Sequence, residues 1–179
     1  PAHFTSASNQ AWANPFPAKT DRDSLYEKLL VDLKEAATLV PWRNELTSIG
    51  DQQDERITKG AVKALRARIA LYRAGYSLRK TGTMVQGSNA ATYYQIAKDE
   101  CNDIINSGQH KLNLSFKALW KDQVCARTVA DPDGELMFQA SAIGRSGVAD
   151  TKLGYYNGPT VNNFGNKSIN VLPTYFYAF

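Results

Sequence analysis

The sequence predicts a mainly α-helical protein with long irregular loops and little β structure. Three observations carry this prediction. Apolar residues recur at helical spacing in three segments between residues 20 and 107, and small residues crowd the middle segment. The last part of the chain combines glycine, asparagine and tyrosine without any sustained period. We therefore expect a loop region over 1–19, a helical scaffold over 20–125 and a loop-rich, ligand-facing region over 126–179.

The first helix is predicted to follow Thr20 and to end at Val40. Thr20-Asp-Arg-Asp23 resembles a capping box at its start, with Asp in place of the usual Glu or Gln. Pro41 ends the helix, because a residue before proline is pushed out of helical geometry. Its apolar stripe is formed by Leu25, Leu29, Leu33, Ala36 and Val40.

The second helix is predicted from about Thr58 to about Arg79, with Thr58 as the N-cap. Small side chains allow neighbouring helices to approach closely, so we expect this helix to lie between two others. Those small residues are Gly60, Ala61, Ala64, Ala67, Ala70, Ala74 and Gly75.

The third helix is predicted over Ala90 to Ser107, and Gly108 supplies the left-handed residue expected after a helix end. A short helix is expected after Ser115, and the one strand at Glu135–Ala140. The residues predicted to be buried in the third and the short helix are Tyr93, Ala97, Cys101, Ile104, Phe116, Leu119 and Trp120.

Composition and motifs argue against several classes of function. The net charge of +4 is too small to indicate nucleic acid binding by itself, and two cysteines 24 positions apart give no zinc pattern. His3 and His110 stand far from other metal-ligating residues. We expect no metal, no cofactor and no catalytic residue, since no nucleophile–base set or acid pair is present. The acids of Asp131-Pro-Asp-Gly-Glu135 are interpreted as turn residues.

The second helix and the residues just after it carry seven basic side chains and no acid between Thr58 and Lys80. The alternatives are a nucleic-acid surface, an anionic ligand surface and ion pairing with packed helices. We favour ion pairing, because the cations are scattered around the helix and the first helix offers acids as partners: Glu27, Asp32 and Glu35.

The region from Gly144 to Phe164 is the predicted binding site. Tyrosine faces cover the apolar face of a sugar ring, while amides, carboxylates and cations bond its hydroxyls. The alternative is that Tyr155 and Tyr156 only pack the loop onto the scaffold. The predicted ligand-binding residues are Arg145, Asp150, Lys152, Tyr155, Tyr156 and Asn157.

Two segments resemble known repeats. Ala70–Gly75 and Tyr93–Ile104 resemble the two helices of a tetratricopeptide hairpin, separated by an insertion.

Arg56–Tyr72 looks like the helix typical of the SusD/RagB family. The family pattern continues with Tyr94-Gln-Ile-Ala97-Lys, Ile104–Gly108, Phe116–Trp120, Asp133–Phe138 and Val171–Tyr175.

The SusD/RagB resemblance implies a helical scaffold of tetratricopeptide-like hairpins in a cell-surface lipoprotein of the outer membrane. Such proteins bind glycans without enzymatic activity and pass them to a SusC-like, TonB-dependent transporter. The lipid-bearing cysteine is expected upstream of this chain, which we interpret as part of a larger protein. A peptide-binding member of the family and a cytosolic helical-repeat adaptor are the alternatives.

Overall fold

The computed structural model describes residues 19–49, 55–121, 131, 133–139 and 156 of the chain. It is mainly α-helical, as predicted. The chain divides into two compact units, Pro1–Gln139 and Ala140–Phe179, and Tyr156 is the described residue of the second unit. The elements of the first unit are α1 (Arg22–Leu39), a 3-10 helix (Arg43–Ile49), α2 (Lys59–Ala74), β1 (Tyr76–Leu78), β2 (Met84–Gln86), α3 (Ala90–Asn106) and α4 (Phe116–Ala118).

Helix α1 begins one residue later than its predicted capping box. The N-cap is Asp21, whose carboxylate accepts hydrogen bonds from the backbone N–H groups of Asp23 and Ser24, so Thr20 is not the cap. The end is as predicted, since Val40 before Pro41 is extended. The buried face centres on Leu30 and Ala37, and Leu25 of the predicted stripe is exposed.

Helix α2 lies between α1 and α3, as its small residues predict. Thr58 caps it by accepting a hydrogen bond from the N–H of Ala61. Both neighbours run antiparallel to α2. Arg73, near the end of α2, contacts Glu27 near the start of α1 and Tyr93 near the start of α3. The core joins Leu30 of α1, Ala67 and Ala70 of α2, and Ala97 of α3.

Helix α2 ends five residues before the predicted Arg79. Gly75 follows it, and β1 then pairs antiparallel with β2, with Tyr76 opposite Gln86. The backbone N–H of Gly87 donates a hydrogen bond to the carbonyl oxygen of Gly75. A Cβ at Gly87 would lie 2.0 Å from the carbonyl oxygen of Arg73, so glycine is required for this close return to the helix end. The sequence prediction missed this hairpin.

Helix α3 buries Ala97, Glu100 and Ile104, whereas Cys101 is exposed. The prediction that Cys101 is a core thiol is therefore wrong. Ala97 and Ile104 are buried as predicted, and Glu100 takes the place of Cys101 in the buried stripe because it points at cations of α2. Gly108 adopts the expected left-handed conformation, with φ of 66°.

The short helix α4 follows Ser115, which caps it through the N–H of Ala118. Leu119 is buried as predicted. Phe116 and Trp120 are 72% and 57% exposed, so their predicted burial is wrong. Helical spacing would place these three residues on one face, but the regular helix spans only Phe116–Ala118, too short to present a continuous buried stripe.

Residues 133–139 do not form the predicted strand. The turn prediction for the acids that precede and begin this segment is confirmed. The buried carboxylate of Asp131 accepts hydrogen bonds from the N–H groups of Gly134 and Leu136, at 3.1 and 2.8 Å. The carboxylate of Glu135 accepts from the backbone N–H of Asn113. Side-chain bonds thus replace the ladder that a strand would need.

Replacing Ala70 by Leu should destabilise the protein, because Ala70 has no exposed surface where α1, α2 and α3 meet. Overpacking of a filled core costs about 1–3 kcal/mol. Urea unfolding of Ala70→Leu should therefore give a free energy of unfolding lower by that amount. Ala91→Leu, at an exposed position of α3, is the control and should leave the value within about 0.5 kcal/mol. Equal effects of the two changes would contradict the close packing of α2.

Candidate functional site

The predicted binding residues fall almost entirely outside the described residues. Arg145, Asp150, Lys152, Tyr155 and Asn157 lie there, as do His3 and Cys125. Tyr156 is described: it is helical and 41% exposed.

Four of the seven basic residues of α2 and the hairpin that follows, Lys63, Arg66, Arg73 and Arg79, form ion pairs with the neighbouring helices. Arg73, whose side chain is 3% exposed, donates from Nη2 to Glu27 Oε1 of α1 at 2.7 Å. The hydroxyl of Tyr93 of α3 donates to the same oxygen at 3.0 Å, and the guanidinium of Arg73 lies 4.5 Å from the ring centroid of Tyr93. Arg79 of the hairpin pairs with Asp23 at 3.0 Å.

A second group of charges joins α2 to α3. Lys63 Nζ lies 2.8 Å from both Glu100 Oε2 and Asp103 Oδ2, and Arg66 pairs with the other oxygen of Glu100. Arg66 also donates to the carbonyl of Leu30 in α1. Ion pairing between packed helices is thus confirmed as the role of these basic residues. Of the acids expected as partners in α1, Glu27 is used, while Asp32 pairs with Lys28 of its own helix.

These contacts shift the ionisation of the acids in α1. Hydrogen bonds from Arg73 and Tyr93 hold the pKa of Glu27 below its ordinary value. Burial alone would raise the pKa of Asp23, but the hydrogen bond from Arg79 and the charges of nearby arginines outweigh it, so the pKa is lowered. Both carboxylates stay ionised well below neutral pH.

His110 has a packing role at the start of α2. Its Nδ1–H donates to the carbonyl of Gly134 at 2.7 Å, which fixes the turn after Asp131 against the scaffold. Its Nε2 is buried against Gly60, where a Cβ would lie only 2.2 Å away. A glycine at this position of α2 is therefore needed for the imidazole to fit.

One open groove with a volume of about 340 Å³ lies in the described part of the chain, and it combines an aromatic ring with polar side chains. It is bounded by the start of the 3-10 helix, the second turn of α2 and the end of α3. Lys59 Nζ lies 5.7 Å from the Trp42 ring centroid and covers that ring. The lining residues are Trp42, Lys63, Asp103, Asn106, Ser107 and Gln109. The sequence analysis did not predict this groove.

The described residues contain no group of three or more side chains placed to hold a metal ion. Among them, no helix has the length and apolar character required to cross a bilayer. Comparisons with protein-family models, curated proteins and solved structures find no match to this chain. Function must therefore be argued from the residues and their geometry.

The free energy of unfolding should decrease as the pH is lowered, and Glu27 should account for part of the decrease. Because its folded-state pKa is lowered, its contribution is complete above its ordinary pKa of 4.5 and is lost as pH falls through the folded-state value. The free energy of unfolding, measured with urea at pH 6 and at pH 3, should differ less between the two pH values for Glu27→Gln than for the unmodified protein. Glu35→Gln, at an exposed glutamate of the same helix, should retain the full difference. An unchanged pH response in Glu27→Gln would refute the assigned role.

Proposed function

We propose that this chain belongs to a SusD-like nutrient-binding protein of the outer-membrane surface. It captures glycans without transforming them and delivers them to a SusC-like, TonB-dependent transporter. In this proposal α2 and α3 form a tetratricopeptide-like hairpin interrupted by the β1–β2 insertion. The loop-rich region after residue 126 carries the ligand contacts.

The side-by-side antiparallel packing of α2 and α3 is the observation that carries the proposal. The two segments that resemble a tetratricopeptide hairpin, Ala70–Gly75 and Tyr93–Ile104, lie in these two helices. Ala67, Ala70 and Ala97 meet in one core, as small residues at a helix crossing would. Had these helices been apart, the resemblance in sequence order would have had no structural counterpart.

The chemistry of the loop-rich region favours reversible capture. Tyr156 is exposed, and it is flanked in sequence by Tyr155 and Asn157. Two adjacent aromatic rings and an amide provide stacking and directional hydrogen bonds to sugar hydroxyls. Delivery to a transporter requires that the ligand be released again, so a modest affinity built from such contacts suits the role.

Binding of glycans should depend on the two tyrosines. On a glycan array, the double variant Tyr155→Ala/Tyr156→Ala should lose binding by about tenfold or more, because stacked rings contribute about 1–3 kcal/mol of interaction. Its thermal midpoint should stay unchanged, since Tyr156 is exposed. Tyr94→Ala, at an exposed tyrosine of α3, is the matched control and should bind as the unmodified protein does.

Three other results would refute the proposal. Loss of thermal stability in the double variant with unchanged affinity would give the tyrosines a packing role. Binding of peptides but not glycans by the unmodified protein would favour the peptide-binding alternative. Degradation of a polysaccharide, abolished by replacing a carboxylate of this chain, would establish an enzyme instead.

A further inference from the structure

We propose that the groove beside Trp42 is a second saccharide site, one that takes a single neutral sugar unit. The proposal rests on the proposed function for the class of ligand, but the groove is built from the helical scaffold and is separate in sequence from residues 145–157. Its volume of about 340 Å³ lies at the small end of the range for ligand pockets, about 300–1,000 Å³.

The charges at the groove are balanced, which disfavours an ionic ligand. Lys63 is held at 2.8 Å by both Glu100 and Asp103, so its charge is already satisfied. At Trp42, the cation of Lys59 already lies over the ring, and the carboxylate of Glu45 accepts the backbone N–H of Trp42 at 2.7 Å. A neutral ligand can bind without disturbing these contacts, whereas a charged ligand would have to compete with the partners that the charges already have.

The groove retains hydrogen-bonding capacity of the kind that hydroxyl groups use. Gln109 Oε1 accepts from the N–H of Asn44 at 3.1 Å, which orients the amide and leaves its NH₂ as a donor. Asn106 ends α3 with an exposed amide that makes no hydrogen bond to another described residue. Asp103 is 59% exposed and binds Lys63 through Oδ2, so Oδ1 is an available acceptor.

Neighbouring groups orient two of these side chains and the backbone that follows α3. Lys63 holds Asp103 from α2, and Ser107 donates to the carbonyl of Ile104 while accepting from the N–H of Gln109. Asp103 and Gln109 are therefore preorganised beside an indole, and of the polar groups described the amide of Asn106 is the one that a bound sugar must order. The combination of one aromatic ring, two amides and one carboxylate oxygen matches a hexose with several hydroxyls.

The test uses the full chain labelled with 5-fluorotryptophan, with ¹⁹F NMR as the readout. The chain has three tryptophans, and Trp42→Phe assigns the signal of the one in the groove. The probes are the methyl α- and β-glycosides of glucose, galactose and mannose. At least one should shift the Trp42 signal saturably. Asn106→Ala should raise the apparent Kd on the order of tenfold, as expected for the loss of hydrogen bonds to a bound ligand.

Asn102→Ala is the matched control, because Asn102 is an exposed asparagine one turn earlier on α3 that does not line the groove. It should leave the apparent Kd unchanged within about twofold. Both asparagines are exposed, so neither change should unfold the protein. The groove proposal is overturned if no glycoside shifts the Trp42 signal, if Asn106→Ala binds normally, or if inorganic phosphate produces the same saturable shift.

The two proposals fail separately. Glycan binding that depends on Tyr155 and Tyr156 while the Trp42 signal stays silent would remove the groove and leave the proposed function. A saturable shift of Trp42 that Asn106→Ala weakens, with array binding unaffected by the tyrosine variant, would keep the groove and remove the loop site. No response in either experiment would overturn both.

Discussion

The close approach of α2 to its two neighbours is the constraint on which the described structure depends. Ala67 and Ala70 let the backbones of three helices meet in one core, and Leu30 supplies the larger apolar side chain. Alanine side chains bury little apolar area, so the seam of the scaffold is narrow. Charged side chains therefore complete the contact between helices on either side of it.

Long arginine side chains suit such a narrow seam. Arg73 lies with its stem buried and its guanidinium shared by Glu27, the ring of Tyr93 and the carbonyl of Ser88, which links α1, α2, α3 and the end of the hairpin. Arg66, two turns earlier on the same face of α2, also joins both neighbours, reaching α1 through a carbonyl and α3 through Glu100. The polar end of each chain is satisfied while its methylene groups cover the core.

The same arrangement sets what is available for binding. The charges of Lys63, Arg66 and Arg73 are paired with acids of the neighbouring helices, so these side chains support the scaffold, as the favoured interpretation of the sequence expected. The groove at Trp42 could not be read from the sequence, because its residues come from three elements separated by as many as 67 positions and each is ordinary alone. Tyr156, by contrast, stood out through its tyrosine and asparagine neighbours in the sequence.

By itself the sequence determined the mainly helical class, the central place of α2 and several helix boundaries. Helix boundaries were predictable where they depend on local backbone chemistry, which adjacent residues specify. Examples are the N-cap at Thr58, the extended Val40 before Pro41, and the left-handed Gly108. Tertiary structure alone decided which side chains are inside. Helical spacing allows either Glu100 or Cys101 to face α2, and only the cations across the interface make the glutamate the buried one. The β1–β2 hairpin likewise begins where the sequence predicted the last turn of α2, because the pairing of Tyr76 with Gln86 across a turn is not visible in the helical spacing of apolar residues.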